Sequence, residues 1–210
     1  MGKLINGING PIVGKVGKVH GSSRNGVSYV KGPYKDRTEK ITAKEAGNRV
    51  RFAQAQSWLK PLLAFVREGF RDPEKKGVGF IEAKSYLMKN ALQGVAPDIS
   101  IDPALMLVSR GTLPLSNDIT AEKPGIDTLQ FTWDTAAVEG GSLYDQVMLL
   151  AYDIEHGVAA YNMTGQFRST GADTLKIFGE KGSTWHLYLA FSAADRKSQS
   201  NSVYFGAIAM

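Results

Sequence analysis

The spacing of apolar and polar residues changes character twice along the chain. Through residue 35, the β-formers Ile12-Val13, Val16, Val19, Val27 and Tyr29-Val30 are interleaved with glycines at 2, 7, 10, 14, 17, 21, 26 and 32. Such punctuation predicts short strands with turns or bulges rather than a helix. Arg24-Asn25-Gly26 contains an Asn-Gly pair suited to a type I′ turn, so Gly17–Ser23 is expected to pair with Val27–Lys31. Two strands alone are barely stable in water, and this segment should therefore need a partner surface.

Between residues 41 and 70 the period becomes helical. Val50, Ala53, Leu59, Leu62, Leu63, Val66 and Phe70 fall at helical spacing and are expected in the core. Thr42 and Glu45 have the spacing of a capping box. Pro61 should break or restart the helix after Lys60, and Asp72-Pro73 should end it. Residues 80–92 predict a further helix, stopped near Gly94 and Pro97.

From Ile99 onward short β-rich runs alternate with turns of Gly, Asp, Asn, Ser and Pro. In Trp185-His186-Leu187-Tyr188-Leu189-Ala190-Phe191 the period of two is plain. Regularly spaced short strands predict a β-sandwich. The pattern divides the chain into a Gly-rich basic β arm (1–40), a helical segment (41–98) and a β-sandwich (99–210). Its class is mainly β with helices (α+β).

Charge sharpens this division. Residues 1–100 carry 18 Lys and Arg against 8 Asp and Glu, a net +10, whereas residues 101–210 carry 7 against 12, a net −5. A basic half can meet nucleic acid, or the acidic half of another copy. With no cysteine in the chain, disulfides and thiolate metal sites are excluded. No run of about 18 apolar residues occurs, so membrane insertion is not expected. The N-terminus has no secretory h-region. Synthesis in the cytoplasm is expected, with an extracellular filament or a phage particle as candidate destinations.

The C-terminal runs resemble a fibronectin type III sandwich. Leu129-Gln-Phe-Thr-Trp133-Asp is similar to the strand that carries that fold's buried Trp, and Trp185 to Phe191 to its late strand with a core Tyr. The whole chain resembles an uncharacterised domain family of Bacteroidetes-type bacteria. That resemblance rests on Asn9-Gly-Pro-Ile-Val-Gly14-Lys-Val-Gly17, Gly26-Val-Ser-Tyr29-Val-Lys31, Arg49-Val-Arg51-Phe52, Ile101-Asp102, Ser109-Arg110-Gly111 and Ser202-Val-Tyr204-Phe-Gly206. It implies a shared domain plan and assigns no catalytic residue. The Gly-Lys-Val-Gly arm is also similar to segments of small phage-like structural proteins.

Residues able to carry chemistry are sparse. His20, His156 and His186 lack metal-ligand spacing, and a lone His is more often structural than a ligand. His186 is expected to face outward from its strand. Gly14-Lys-Val-Gly17-Lys18 lacks the spacing of a phosphate-binding loop and precedes a strand. Ser22-Ser23, Ser169-Thr170 and Ser198 lack a nucleophile-elbow setting. Asp153/Glu155 and Asp134/Glu139 are expected as solvated turn residues, not as a hydrolytic pair.

These features predict a non-enzymatic structural subunit of a filament, a phage particle or a surface layer, which takes no cofactor and no metal. It would associate with copies of itself through an arm formed by Gly10, Ile12, Val13, Gly14, Val16, Gly17, Val19 and Tyr29. The open edges of a sandwich would receive that arm. A monomeric sandwich module for a glycan or protein is the alternative. Lys15, Lys18, Arg24, Lys31, Lys35, Arg37 and Lys40 around Tyr29 and Tyr34 make nucleic acid a weaker candidate partner.

Overall fold

A computed structural model describes residues 2–7, 10–24, 26–33, 41–72, 74, 77–179 and 182–209. Asn9, Asn25, Tyr34, Lys35, Arg37, Lys40 and Pro73 lie outside the described residues. The chain forms two compact units, Met1–Ile41 and Thr42–Met210.

The first unit is an antiparallel meander of β1 (Lys3–Leu4), β2 (Ile12–Val16), β3 (Val19–Arg24) and β4 (Val27–Lys31). Arg24 pairs with Val27, the register that a two-residue turn imposes, as expected from the Asn-Gly pair.

The second unit opens with α1 (Ala43–Leu59). Its N-cap, Thr42, accepts a hydrogen bond from the Glu45 N–H at 3.2 Å. Pro61 separates α1 from α2 (Leu63–Gly69). Buried side chains on α1 are confined to Ala55, Trp58 and Leu59. Val50 and Ala53, expected in the core, are exposed. Next comes α3 (Gly79–Tyr86), prolonged by a π turn over Leu87–Ala91. Residues 92–95 follow directly, and of the helix predicted over 80–92 Leu92 alone lies outside it. They form β5 (Leu92–Val95), which pairs with β6 (Asp98–Ile101) across a cis Ala96-Pro97 bond. No helix among the described residues is long and apolar enough to cross a membrane.

The remaining strands are β7 (Thr120–Glu122), β8 (Thr128–Thr132), β9 (Gln146–Asp153), β10 (Val158–Asn162), β11 (Ala172–Lys176), β12 (Thr184–Ser192) and β13 (Val203–Ala209). They form two sheets, β11-β8-β7 and β10-β9-β12-β13. The first, second and fifth strands share one sheet, and the fourth, third, sixth and seventh share the other. This is the strand order of a fibronectin type III sandwich, so the resemblance in the sequence extends to topology.

Two cores flank the four-stranded sheet. Val147, Leu149, Ala151, Trp185, Leu187, Leu189 and Phe191 face Leu129, Phe131 and Trp133 of the three-stranded sheet. The alternate residues Met148, Leu150, Tyr152, Tyr188 and Ala190 pack against Trp58, Leu59, Leu62, Phe65 and Val66 of the helices. A strand alternates its side chains between faces. Both faces of β9 and β12 are apolar, so each needs a cover, and the helices supply the second one. Tyr188, expected in the interior of the sandwich, belongs to the helical side. Its hydroxyl donates to the Pro103 carbonyl at 2.8 Å.

Candidate functional site

The eight arm positions all fall in the first unit. Gly10 precedes β2. Ile12, Val13, Gly14 and Val16 lie on β2, Gly17 in the turn, Val19 on β3 and Tyr29 on β4. Register sorts them onto two faces. Val16 pairs with Val19, Gly14 with Gly21 and Gly21 with Val30, which sets these residues on one face. Lys15 pairs with His20 and His20 with Lys31, while Ser22 pairs with Tyr29 and Arg24 with Val27, all on the other. Lys31 Nζ lies 5.1 Å from the centre of the Tyr29 ring, a cation–π contact within that second face. A side chain at Gly21 would run into the Ile12 carbonyl oxygen, so the backbones approach closely only with glycine there. Among the described residues of this unit Gly21 alone is buried. Val16 is 44% exposed and Val30 59%.

The histidines occupy three different settings. His20 is on β3, between two lysines. His156 closes the β9–β10 turn, with its Nδ1 2.7 Å from Asp153 Oδ2, and Asp153 also accepts the His156 backbone N–H. Asp153 is thus no solvated turn residue as expected, because only 2% of it is exposed. His186 does not stand free on its strand either. It is half-buried, with Nδ1 2.8 Å from the Tyr204 hydroxyl and its ring stacked on that phenol. Burial lowers its pKa, opposed by the Asp153 charge. Tyr152 responds in the other direction: burial, aided by Asp153, raises its phenol to about 12. No group of three or more potential metal ligands exists among the described residues.

A buried ion pair, which no local sequence pattern marks, lies at the end of the sandwich. Arg168, 1% exposed, donates to Ser116 Oγ at 2.9 Å, to the Pro114 carbonyl at 2.8 Å and to Asp145 Oδ2 at 3.3 Å. Its guanidinium carbon lies 4.1 Å from the centre of the Phe191 ring. Asp145 also accepts from the backbone N–H groups of Ser142 and Ala194. Burial lowers the Arg168 pKa, and Asp145 opposes this through charge and hydrogen bond. The arrangement is structural, since every donor and acceptor involved belongs to the domain itself.

Ser22-Ser23 lie on β3, Ser169-Thr170 in a 3₁₀ turn, and Ser198 in the β12–β13 loop.

A family model described as a family of unknown function, DUF6266, matches residues 11–206. The matched span takes in β2 to β4 as well as almost all of the second unit. No curated protein matches the chain. The chain therefore belongs to the DUF6266 family of unknown function.

Proposed function

We propose that this chain is a non-enzymatic structural subunit that associates with copies of itself through its N-terminal sheet. The two-faced character of that sheet carries the reading. One face presents Val16, Val19 and Val30 around glycines. The other sets Lys15 and Lys31 on either side of His20, with Arg24 on the same face. Lys15 and Lys31 lie two strands apart across His20, and basic side chains gathered on one face favour an acidic partner surface. Residues 1–41 hold 8 Lys and Arg against 2 Asp and Glu, a net +6, and residues 101–210 carry a net −5. The acidic sandwich of a second copy is therefore the complementary occupant. Its outer strands β7, β10, β11 and β13 end their sheets and offer main-chain groups for pairing. A filament or a phage particle would suit such a subunit.

The test is the size of the purified protein by sedimentation velocity and negative-stain microscopy. The full chain is expected to form salt-sensitive oligomers or filaments. A chain starting at Ile41 keeps the Thr42 cap and both cores, and is expected to stay folded but monomeric. Lys15→Glu combined with Lys31→Glu should weaken association as well. A clean full-length monomer at high concentration would sink the reading. The cationic face would serve nucleic acid instead if a submicromolar complex with DNA or RNA persisted at roughly physiological salt.

A further inference from the structure

Ser109-Arg110-Gly111 is left without a role by self-association, yet it sits where three distant segments meet. The Arg110 N–H donates to the Gly69 carbonyl at 2.8 Å, and the Gly111 N–H to Asn201 Oδ1 at 3.2 Å. Ser109 Oγ lies 3.2 Å from the Gly69 carbonyl oxygen and 2.8 Å from that of Ser200, and the Ser109 carbonyl accepts the Ser202 N–H at 3.0 Å. A side chain at Gly111 would collide with the Gln199 carbonyl oxygen, so the two backbones touch only because residue 111 is glycine. The end of α2, the segment leading into the sandwich and the β12–β13 loop are thereby fixed together.

A cleft of about 530 Å³ opens at this junction, and Arg110 lines it. A second, of about 630 Å³, shares Arg110, Asp72 and Glu82 with it. The other cations of the first cleft are engaged: Arg71 lies 3.2 Å from Glu68 and Lys197 3.9 Å from Asp195. Arg110 is exposed, and among the described residues its guanidinium has no partner. Gln199 also lines the cleft; it is 1% exposed, and among the described residues its Nε2 has no hydrogen-bond partner. A buried donor without an acceptor costs about 1–3 kcal/mol, and native structures hold few of them. An unpaired guanidinium and an orphaned amide donor in one cleft ask for the same kind of ligand.

We propose that this cleft binds a single oxyanionic group, a carboxylate or a phosphate, with Arg110 as its principal anchor and Gln199 as a second donor. A planar guanidinium fork matches either oxyanion. Asp72 and Glu82 on the cleft wall disfavour a polyanion and restrict the ligand to one charged group. The site lies wholly within residues 70–201 and does not depend on self-association.

The experiment is a ¹H–¹⁵N titration of the full chain with inorganic phosphate and, separately, with acetate, at ionic strength matched by sodium chloride. Saturable shifts at the amides of Arg110, Gly111 and Ser198, with Kd in roughly the millimolar range, are expected for at least one probe. The stronger probe identifies the oxyanion. Arg110→Met should weaken binding at least tenfold. Its side chain is exposed and its local structure is held by backbone bonds, so the fold should persist. Thr112→Glu, which adds a carboxylate at an exposed position of the cleft wall, should abolish binding. Shifts no larger than those with chloride for both probes, or wild-type binding by Arg110→Met, would overturn the proposal.

Discussion

Replacing Arg168 by Met tests how the sandwich is tied together. The substitution keeps much of the side-chain volume and removes three hydrogen bonds, to Ser116, Pro114 and Asp145, along with the contact over Phe191. Asp145, 2% exposed, then keeps only its two backbone donors and no counter-charge. Breaking a buried pair from one side costs about 3–5 kcal/mol. Two details set the magnitude at the lower end: among the described residues Arg168 Nε already lacks a partner, and removing the cation relieves its own desolvation. We expect a loss of about 3 kcal/mol in urea unfolding followed by Trp fluorescence. The midpoint of thermal unfolding should fall by about 6–12 °C at roughly 2–4 °C per kcal/mol for a unit of this size. Arg168→Lys should fall between, because an ammonium cannot reach three acceptors in one plane. Adding Asp145→Asn to Arg168→Met should recover part of the loss. If Arg168→Met costs under about 1 kcal/mol, or the second substitution adds its full cost to the first, the pair is not the tie described here.

Two further outcomes follow from the shared sheet. Leu150→Ala opens a cavity on the helical face and is expected to cost about 2–5 kcal/mol. Because α1, α2 and the sandwich enclose the same sheet, helical circular dichroism and the fluorescence of Trp133 and Trp185 should shift together; separate transitions would show two independent units. Tyr152, with its phenol raised to about 12, stabilises the fold in its neutral form. That contribution is complete below pH 10, the unfolded value, and is lost as pH rises toward the folded one, by about 3 kcal/mol in all. Tyr152→Phe should make the alkaline decline of stability shallower, and an unchanged decline would refute the assignment.

Much of the fold could be read from local pattern because local chemistry decides it. The cap at Thr42, the break at Pro61, the hairpin of β3 and β4 and the sandwich strands each follow from short-range signals. Thr-Ala-Glu of β7 offers too little alternation to reveal a strand. The second helix of the sequence runs one residue too far, through Leu92, because Ala91-Leu92 continues an apolar run that only the tertiary hairpin with β6 ends. The packing of the helices on the sheet did have a signal. Val147 to Tyr152 is an unbroken apolar run, the mark of a strand covered on both faces, and alternation alone did not capture it. Val50 and Ala53 keep helical spacing but meet no sheet. The Arg168–Asp145 pair and the Arg110 cleft join residues far apart in sequence; Ser109-Arg110-Gly111 stands out in the sequence as a segment, but the cleft around it does not. The positions of the N-terminal sheet were legible, but which residues share its cationic face depends on register.

The doubly covered sheet also bears on how such a chain can evolve. From Val147 to Asp153 every residue is buried, as is every residue from Leu187 to Ser192. Substitutions there carry the penalties of core mutations, commonly well above the ±0.5 kcal/mol typical of surface positions. A free-standing sandwich has two outer faces on which sequence can drift; here the helices occupy one of them. The other, on the three-stranded sheet, presents Thr120, Glu122, Gln130, Thr132, Thr174 and Lys176, polar side chains whose replacement disturbs little. Variation among descendants of this domain should collect on that face and in the loops, where a lineage can change partners without having to rebuild its core.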